Sequence, residues 1–280
     1  MSTEIVYNSV ATEVVVILKY EDVIRIRKEL TLFYEKVCSK LSTDTVIYSL
    51  MSLRNYTTVE MYNTLKEVGV THISYISDML LFADATETQL KEWGLLDSHG
   101  NYLLSGRYVV PIRDIEGYIC ALVGWDPAGG NRKYVTTPTL GFSRDTTFFN
   151  IECATEKKYN SDGTVYLVEG IFDTLSLRSL GLFSLGNMGL ELSSIKSEIL
   201  TRWGKVVAIP DNDKSGKKVN PIINSEEDKS KEWKIHNDNV FIILPKGVKD
   251  TDDFIRDYDC LEDLLGCKSA SIIKRLKEDS

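Results

Sequence analysis

The sequence has no C-x-x-C pair. Its five cysteines stand singly at positions 38, 120, 153, 260 and 267, so no zinc ribbon is written in it. Their odd count and wide spacing point to reduced thiols. No apolar run comes near the roughly 18 residues of a membrane helix. The first residues lack the basic segment and apolar core of a secretory signal. These absences predict a cytoplasmic protein with no membrane partner. Histidine is scarce as well: His72, His99 and His236 are scattered, and none is assigned to catalysis. Net positive charge is also lacking, since 33 Lys and Arg face 41 Asp and Glu for a balance of −8. A simple electrostatic binder of nucleic acid is normally basic. The balance leaves open an enzyme with a local basic track and a metal that offsets acidic ligands.

What is present is an ordinary globular composition, 43% hydrophobic and 26% charged over 280 residues, with length enough for two domains. Its organising stretch runs from Tyr166 to Asp253. Val165 to Val168 is a short apolar run ending in Glu169-Gly170. Val206 to Ile209 is another, ending in Pro210-Asp211-Asn212-Asp213. Asn239 to Leu244 is a third, with Asp250, Asp252 and Asp253 a few residues on, and Leu182 to Leu185 reads as a fourth. Central parallel strands are buried on both faces and read as continuous apolar runs. Right-handed crossovers bring their carboxyl ends to one edge of the sheet, where ligands of open α/β sheets bind. Carboxylates far apart in sequence thus converge, and a hard divalent cation relieves their repulsion. A single aspartate after a strand is more often a helix N-cap; three acidic strand ends in order make the stronger pattern.

Glu169-Gly170-x-x-Asp173 followed by Asp211-x-Asp213-x-x-Gly216 resembles the TOPRIM domain of primases, topoisomerases and some nucleases. The tail Leu244-Pro245-Lys246-Gly247 with Asp250-Thr251-Asp252-Asp253 is similar to the bacterial (DnaG-type) primase version, with one extra residue after the glycine. The resemblance covers roughly residues 75 to 258.

Ahead of this stretch the texture is basic and strand-like. Tyr108 to Asp114, the turn Ile115-Glu116-Gly117 and Tyr118 to Gly124 predict a β-hairpin. Pro111-Ile112-Arg113-Asp114, Lys133-Tyr134 with Pro138, and Phe142-x-Arg144 resemble the polymerase subdomain of bacterial primases. One departure stands out. Where that family often reads Gly-Gly-Arg, this chain reads Gly124-Trp125-Asp126. Trp125 is then either a stacking platform for a base or core filling.

Residues 1–95 read mainly as helix. Val23, Ile24, Ile26, Leu30, Phe33, Tyr34 and Val37 form a helical stripe within residues 21–39. Thr58 to Val68 and Thr86 to Leu96 give two shorter helices, the latter with capping-box spacing between Thr86 and Gln89. Later helices are expected over 171–180, closed by Gly181 as C′ residue, over 193–203, and over 254–276. Asn220 to Asn239 reads as a polar surface excursion.

The expected fold class is α+β with an α/β part. A helical N-terminal region (1–95) precedes a basic hairpin subdomain (96–160), a TOPRIM domain with a mainly parallel sheet (161–255) and a short helical tail (256–280). The resemblance implies a DNA primase that makes RNA primers on a single-stranded DNA template from NTPs. Asp211, Asp213, Asp250 and Asp252 are the candidate metal ligands. Glu169 is either acid/base or ligand, and Glu169, Asp211 and Asp213 form the catalytic set. Arg113, Lys133 and Arg144 would hold nucleotide and nucleic acid, with Asp173 assigned to the same binding set. The cofactor implied is magnesium or manganese, as two ions, with no zinc. The expected partner is a replicative helicase or a separate DNA-binding protein that supplies template, docking on residues 1–70 or on the tail. The reduced size suits a phage or other mobile element in a bacterial host. Two rival readings are a TOPRIM nuclease and a non-catalytic replication subunit.

Overall fold

Val14-Val15-Val16-Ile17 is a run of β-branched residues, whose stiff side chains suit a pleated strand better than a helix. Val16–Lys19 forms strand β2, antiparallel to β1, Glu4–Tyr7. The region 1–95, expected to be mainly helical, thus opens on a strand pair. It also supplies β3, Thr71–Ile73, to a sheet formed with later residues. The structure, a computed structural model, describes residues 4–7, 16–41, 43–73, 85–129, 132–156, 163–221, 232–236 and 238–257. Two units divide the chain: Met1–Arg54 with Leu65–Phe142, and Asn55–Thr64 with Ser143–Ser280.

In the first unit the long helix α1, Tyr20–Lys40, carries the expected stripe. It buries Val23, Ile26, Leu30, Phe33, Tyr34 and Val37. Helix α2 is Thr43–Arg54; α3, Val59–Val68, has residues 59–64 in the second unit and 65–68 in the first; and α4 is Glu87–Glu92. The capping box at α4 forms as expected: Gln89 N donates to Thr86 Oγ1, and Thr86 N donates to Gln89 Oε1. The hairpin is β4, Arg107–Arg113, and β5, Ile119–Trp125; β6, Tyr134–Thr136, completes an antiparallel sheet in the order β3-β4-β5-β6. Its turn closes through Asp114 N to Tyr118 O, while Asp114 Oδ1 accepts from Glu116 N and Tyr118 N. Gly117 takes the left-handed φ of 87° that the turn demands. β5 is buried along its whole length, and α1 packs on it, so Leu30 and Phe33 share a core with Leu90, Trp93, Ile119 and Leu122. Each such side chain taken from water contributes roughly 1.5–3 kcal/mol.

In the second unit four strands pair entirely in parallel: β7 (Thr164–Val168), β8 (Ser184–Gly186), β9 (Lys205–Ile209) and β10 (Asp238–Phe241). The order is β10-β9-β7-β8. β8 lies on one side of β7 and β9 on the other, so the direction of winding reverses between the adjacent strands β7 and β9. Residue parity sorts the faces. Val165, Leu167, Val206 and Ala208 join one core with Leu200 and Val219; Val168, Val207 and Ile209 join the other with Leu177 and Phe254. The helices covering these faces are α5 (Ile171–Ser179), α6 (Ser194–Leu200), α7 (Lys214–Val219) and α8 (Thr251–Asp257). Gly181, φ 78°, ends α5: its N–H reaches Arg178 O while Leu182 N reaches Leu177 O, the paired bonds of a Schellman motif. β10 stops at Phe241, earlier than the run to Leu244 suggested. The excursion over 220–239 and the tail beyond 257 lie largely outside the described residues. Among the described residues no helix is long and apolar enough to cross a membrane.

Candidate active site

Val168 of β7 is in register with Ile209 of β9, so the residues after these two strands leave the sheet side by side at the winding reversal. Crevices at such switch points are where α/β sheets bind ligands. Glu169 follows β7, and Asp211 follows β9 by two residues. Asp211 N donates to Glu169 Oε1 at 3.0 Å. Burial pushes the Glu169 carboxyl up to about 7, Asp213 and Asp173 push the same way, and the Asp211 N–H and Lys249 oppose. Asp211 is pushed up to about 8 by burial, with Glu169 and Asp250 adding and Lys249 opposing.

Two glycines make these placements possible. A side chain at Gly170 would put its Cβ 2.3 Å from Asp173 Oδ2, so the glycine of the Glu-Gly pair leaves room for Asp173 to fold back. At Gly216 a Cβ would stand 2.0 Å from the Asp211 carbonyl oxygen. That close approach explains the glycine three residues after Asp213. Asp213 itself is exposed and caps α7, its Oδ1 accepting from Ser215 N at 2.7 Å and Gly216 N at 2.9 Å.

Asp250 opens α8, with Oδ1 accepting from Asp253 N at 2.8 Å and Oδ2 from Lys249 Nζ at 2.7 Å. Asp173, in the first turn of α5, is buried beside these acids. Its Oδ1 accepts from Asp252 N at 2.9 Å. Burial, then Asp211, Asp250 and Asp252, hold its carboxyl well above the usual range. Asp252 is 1% exposed, and its carboxylate accepts from Tyr56, Ser176 and Arg256. Ligand atoms of Asp250, Asp252 and Asp253 lie within 4.8 Å of one another.

Two residues of the site escaped the reading of the sequence. Asn212, between the two aspartates, donates from Nδ2 to Pro245 O and Val248 O at 3.0 Å, and its N–H reaches Lys249 O at 2.7 Å. It ties the loop after β9 to the loop before Asp250. Lys249 is the cation among the acids. Burial pulls it down, but the bond to Asp250 and the charges of Asp250, Asp211 and Asp173 hold it above the ordinary lysine value. The only advance signal was their position inside an acidic motif.

Of the basic candidates, Arg113 and Lys133 belong to the first unit, and Arg144 to the second with the acids. Arg113 donates from Nη1 to its own turn at Gly117 O, 2.8 Å away. Lys133 is exposed, its Nζ 5.6 Å from the centre of the Tyr134 ring, and Arg144 is exposed. Trp125 is core: it is 5% exposed and packs 5.8 Å from the Tyr108 ring. Arg107 of β4 lies across Gly124, where a Cβ would meet its Cδ at 2.7 Å. Its Nη1 donates to Arg132 O at 2.7 Å, anchoring the segment that carries Lys133.

The donor set of Glu169, Asp211, Asp213 and Asp250 is all oxygen and acidic. The Glu169 and Asp211 carboxyls are pushed upward by burial and by neighbouring acids, a charge conflict that a hard divalent cation relieves. The residues therefore fit a hard divalent cation.

Residues 166–255 match the Toprim-like family. The chain is 29% identical over 177 residues to the DNA primase of Thermotoga maritima, covering 61% of this chain and 30% of that one. It is 26% identical over 156 residues to the DNA primase of Synechococcus elongatus, covering 54% and 22%. It thus spans less than a third of the length of these curated relatives. Among solved structures it superposes on a DnaG primase catalytic domain bound to ssDNA with a TM-score of 0.66 at 15% identity, covering 91% of this chain and 81% of that one. The Aquifex aeolicus primase, zinc-binding and RNA polymerase domains, gives a TM-score of 0.64 at 19% identity over 89% and 61%. The fold is that of a DnaG-type primase catalytic core, with a Toprim-like domain.

Proposed function

We propose that this chain is a DNA primase core, synthesising RNA primers from NTPs on single-stranded DNA. The observation that carries the proposal is the acidic cluster at the β7–β9 reversal, where Glu169 and Asp211 are clasped together with Asp173 and Asp250 beside them. The primase-core fold around it, and curated relatives named DNA primase, favour synthesis over the nuclease reading.

Glu169, Asp211, Asp213 and Asp250 would hold magnesium or manganese, which when bound offsets charge on the transferring phosphate. Asp211 N–H fixes Glu169 Oε1, which points to Oε2 as the atom for metal or proton. Asn212 sets the distance between the loops bearing Asp211 and Asp250. Lys133, Arg113 and Arg144 supply cations for phosphates, arginine as a fork and lysine as a point charge. Arg107 holds the Lys133 segment in place. A balance of −8 makes general affinity for single strands weak, so a helicase or separate DNA-binding protein would raise local template concentration.

The test is incubation with labelled NTPs and unprimed single-stranded DNA. Labelled RNA supports the proposal; shortened DNA or RNA without synthesis would point to the nuclease instead.

A further inference from the structure

Asp252 sits two residues after Asp250 in the same acidic run, yet its surroundings differ. Its Oδ1 accepts from the Tyr56 hydroxyl at 2.7 Å and from the Ser176 hydroxyl at 2.5 Å. Its Oδ2 faces Arg256 Nη1 at 3.3 Å. Both acceptor sites of Oδ1 and one of Oδ2 are thus taken by protein donors, on a side chain that is 1% exposed. Carboxylates that take three protein donors in the interior are satisfied without a metal.

The donors come from far apart. Ser176 is on α5. Tyr56 lies 196 residues before Asp252, in the segment Asn55–Thr64 that belongs to the second unit although its flanks belong to the first. Asn55 leaves α2 with φ 56°, a left-handed conformation that asparagine tolerates, and Tyr56 follows directly. It is 9% exposed. What Asp252 anchors is the first turn of α8, whose cap is Asp250. The Asp252 backbone N–H also holds Asp173 Oδ1.

We propose that Tyr56 and Ser176 are positioning residues for the metal-binding acids, acting through Asp252, and that Asp252 is a strut and not a ligand. The inference rests on the reading of Glu169, Asp211, Asp213 and Asp250 as the metal ligands. Pinning Asp252 to Tyr56 and to α5 sets where α8 begins, and with it where the Asp250 carboxylate and the Asp173 side chain stand. Groups bonded directly to a metal ligand typically change its affinity by about 10–100-fold when lost, and Tyr56 and Ser176, a further step away, should act at the lower end of that range.

Mn²⁺ binding to the full chain, titrated by electron paramagnetic resonance, tests this without any activity. Tyr56→Phe should weaken Mn²⁺ roughly tenfold with the number of sites unchanged, and Tyr56→Phe with Ser176→Ala should weaken it further. Asp252→Asn keeps an Oδ1 acceptor for both hydroxyls and should also keep every site, whereas Asp211→Asn, the ligand control, should lose one. Tyr56→Phe binding Mn²⁺ like wild type, even with a lower melting temperature, would overturn the proposal. So would an Asp252→Asn chain that loses a site as Asp211→Asn does. Should Asp252→Asn not fold by circular dichroism, the Tyr56→Phe affinity decides alone. A wild-type chain that binds no Mn²⁺ overturns the inference with its premise; one that binds Mn²⁺ but makes no RNA overturns only the primase reading.

Discussion

The backbone N–H of Asp211 lies 3.0 Å from Glu169 Oε1, so one acid of the cluster is held by the main chain of the next. The clasp uses no side-chain atom of Asp211. That residue's own carboxyl is pushed up to about 8 by burial, then by Glu169 and Asp250. Asp211→Asn should therefore leave the clasp intact and ease the crowding of charge. Without metal its melting temperature should equal or exceed that of wild type. Losing a group next to a ligand already costs about 10–100-fold, so losing a ligand should cut nucleotidyl transfer by more than about 100-fold, and Mg²⁺ should raise the melting temperature less than it does in wild type. Wild-type rates in Asp211→Asn at saturating metal would remove Asp211 from the site.

Gly216→Ala tests the close approach. A Cβ there would stand 2.0 Å from Asp211 O and 2.6 Å from its carbonyl carbon, so either α7 or the Asp211 loop must shift. Overpacking of this kind costs typically 1–3 kcal/mol. The expected result is a lower urea midpoint and a loss of activity approaching that of Asp211→Asn. An alanine variant with wild-type stability and activity would mean that the loop yields freely.

Lys133→Ala and Arg144→Ala should each weaken binding of single-stranded DNA. For every phosphate that goes unneutralised, the slope of log affinity against log salt should become shallower by about 0.7. Dependence on metal concentration should not change. Fluorescence anisotropy at several salt concentrations reads the slope, and unaltered slopes in both variants would make these residues plain surface charge.

Lys196 was not singled out in the sequence, yet its side chain is 2% exposed. Its Nζ donates to Asn187 Oδ1 at 3.0 Å and to Asn187 O at 2.5 Å, 4.8 Å from the centre of the Phe148 ring. Burial pulls it from 10.5 down to about 7, Arg144 lowers it as well and Asp145 opposes. The unfolded chain then binds more protons than the folded one between about pH 7 and 10.5, so this residue makes stability rise with pH across that window. Urea midpoints at pH 7 and 9 should rise less in Lys196→Met than in wild type, whatever the absolute loss. Parallel changes in the two proteins would mean that Lys196 is charged throughout.

The acidic edge was legible because a parallel strand buried on both faces leaves a continuous apolar run, and the acids stand at its end. Val165–Val168 with Glu169 and Val206–Ile209 with Asp211 kept that placement. The α1 stripe, the Thr86–Gln89 box and Gly181 were legible for the same local reason, since their signals span one or two turns. Relations between distant residues were not. Tyr56 and Asp252 are 196 positions apart, and no periodicity links them. Asn212 looked like a spacer because its three carbonyl acceptors lie on another loop. The role of Trp125 depended on whether Tyr108 and Arg54 would cover it, as they do. Arg107 likewise lies across Gly124 from the neighbouring strand.

The most direct test of the account is primer synthesis on unprimed single-stranded DNA of mixed sequence, with and without Mg²⁺ or Mn²⁺, by wild type and by Asp211→Asn. The account predicts short RNA complementary to the template, made by wild type only when metal is present and nearly absent with Asp211→Asn. RNA made equally well by Asp211→Asn, or no RNA from wild type with either metal even when a template-loading helicase is supplied, would contradict it.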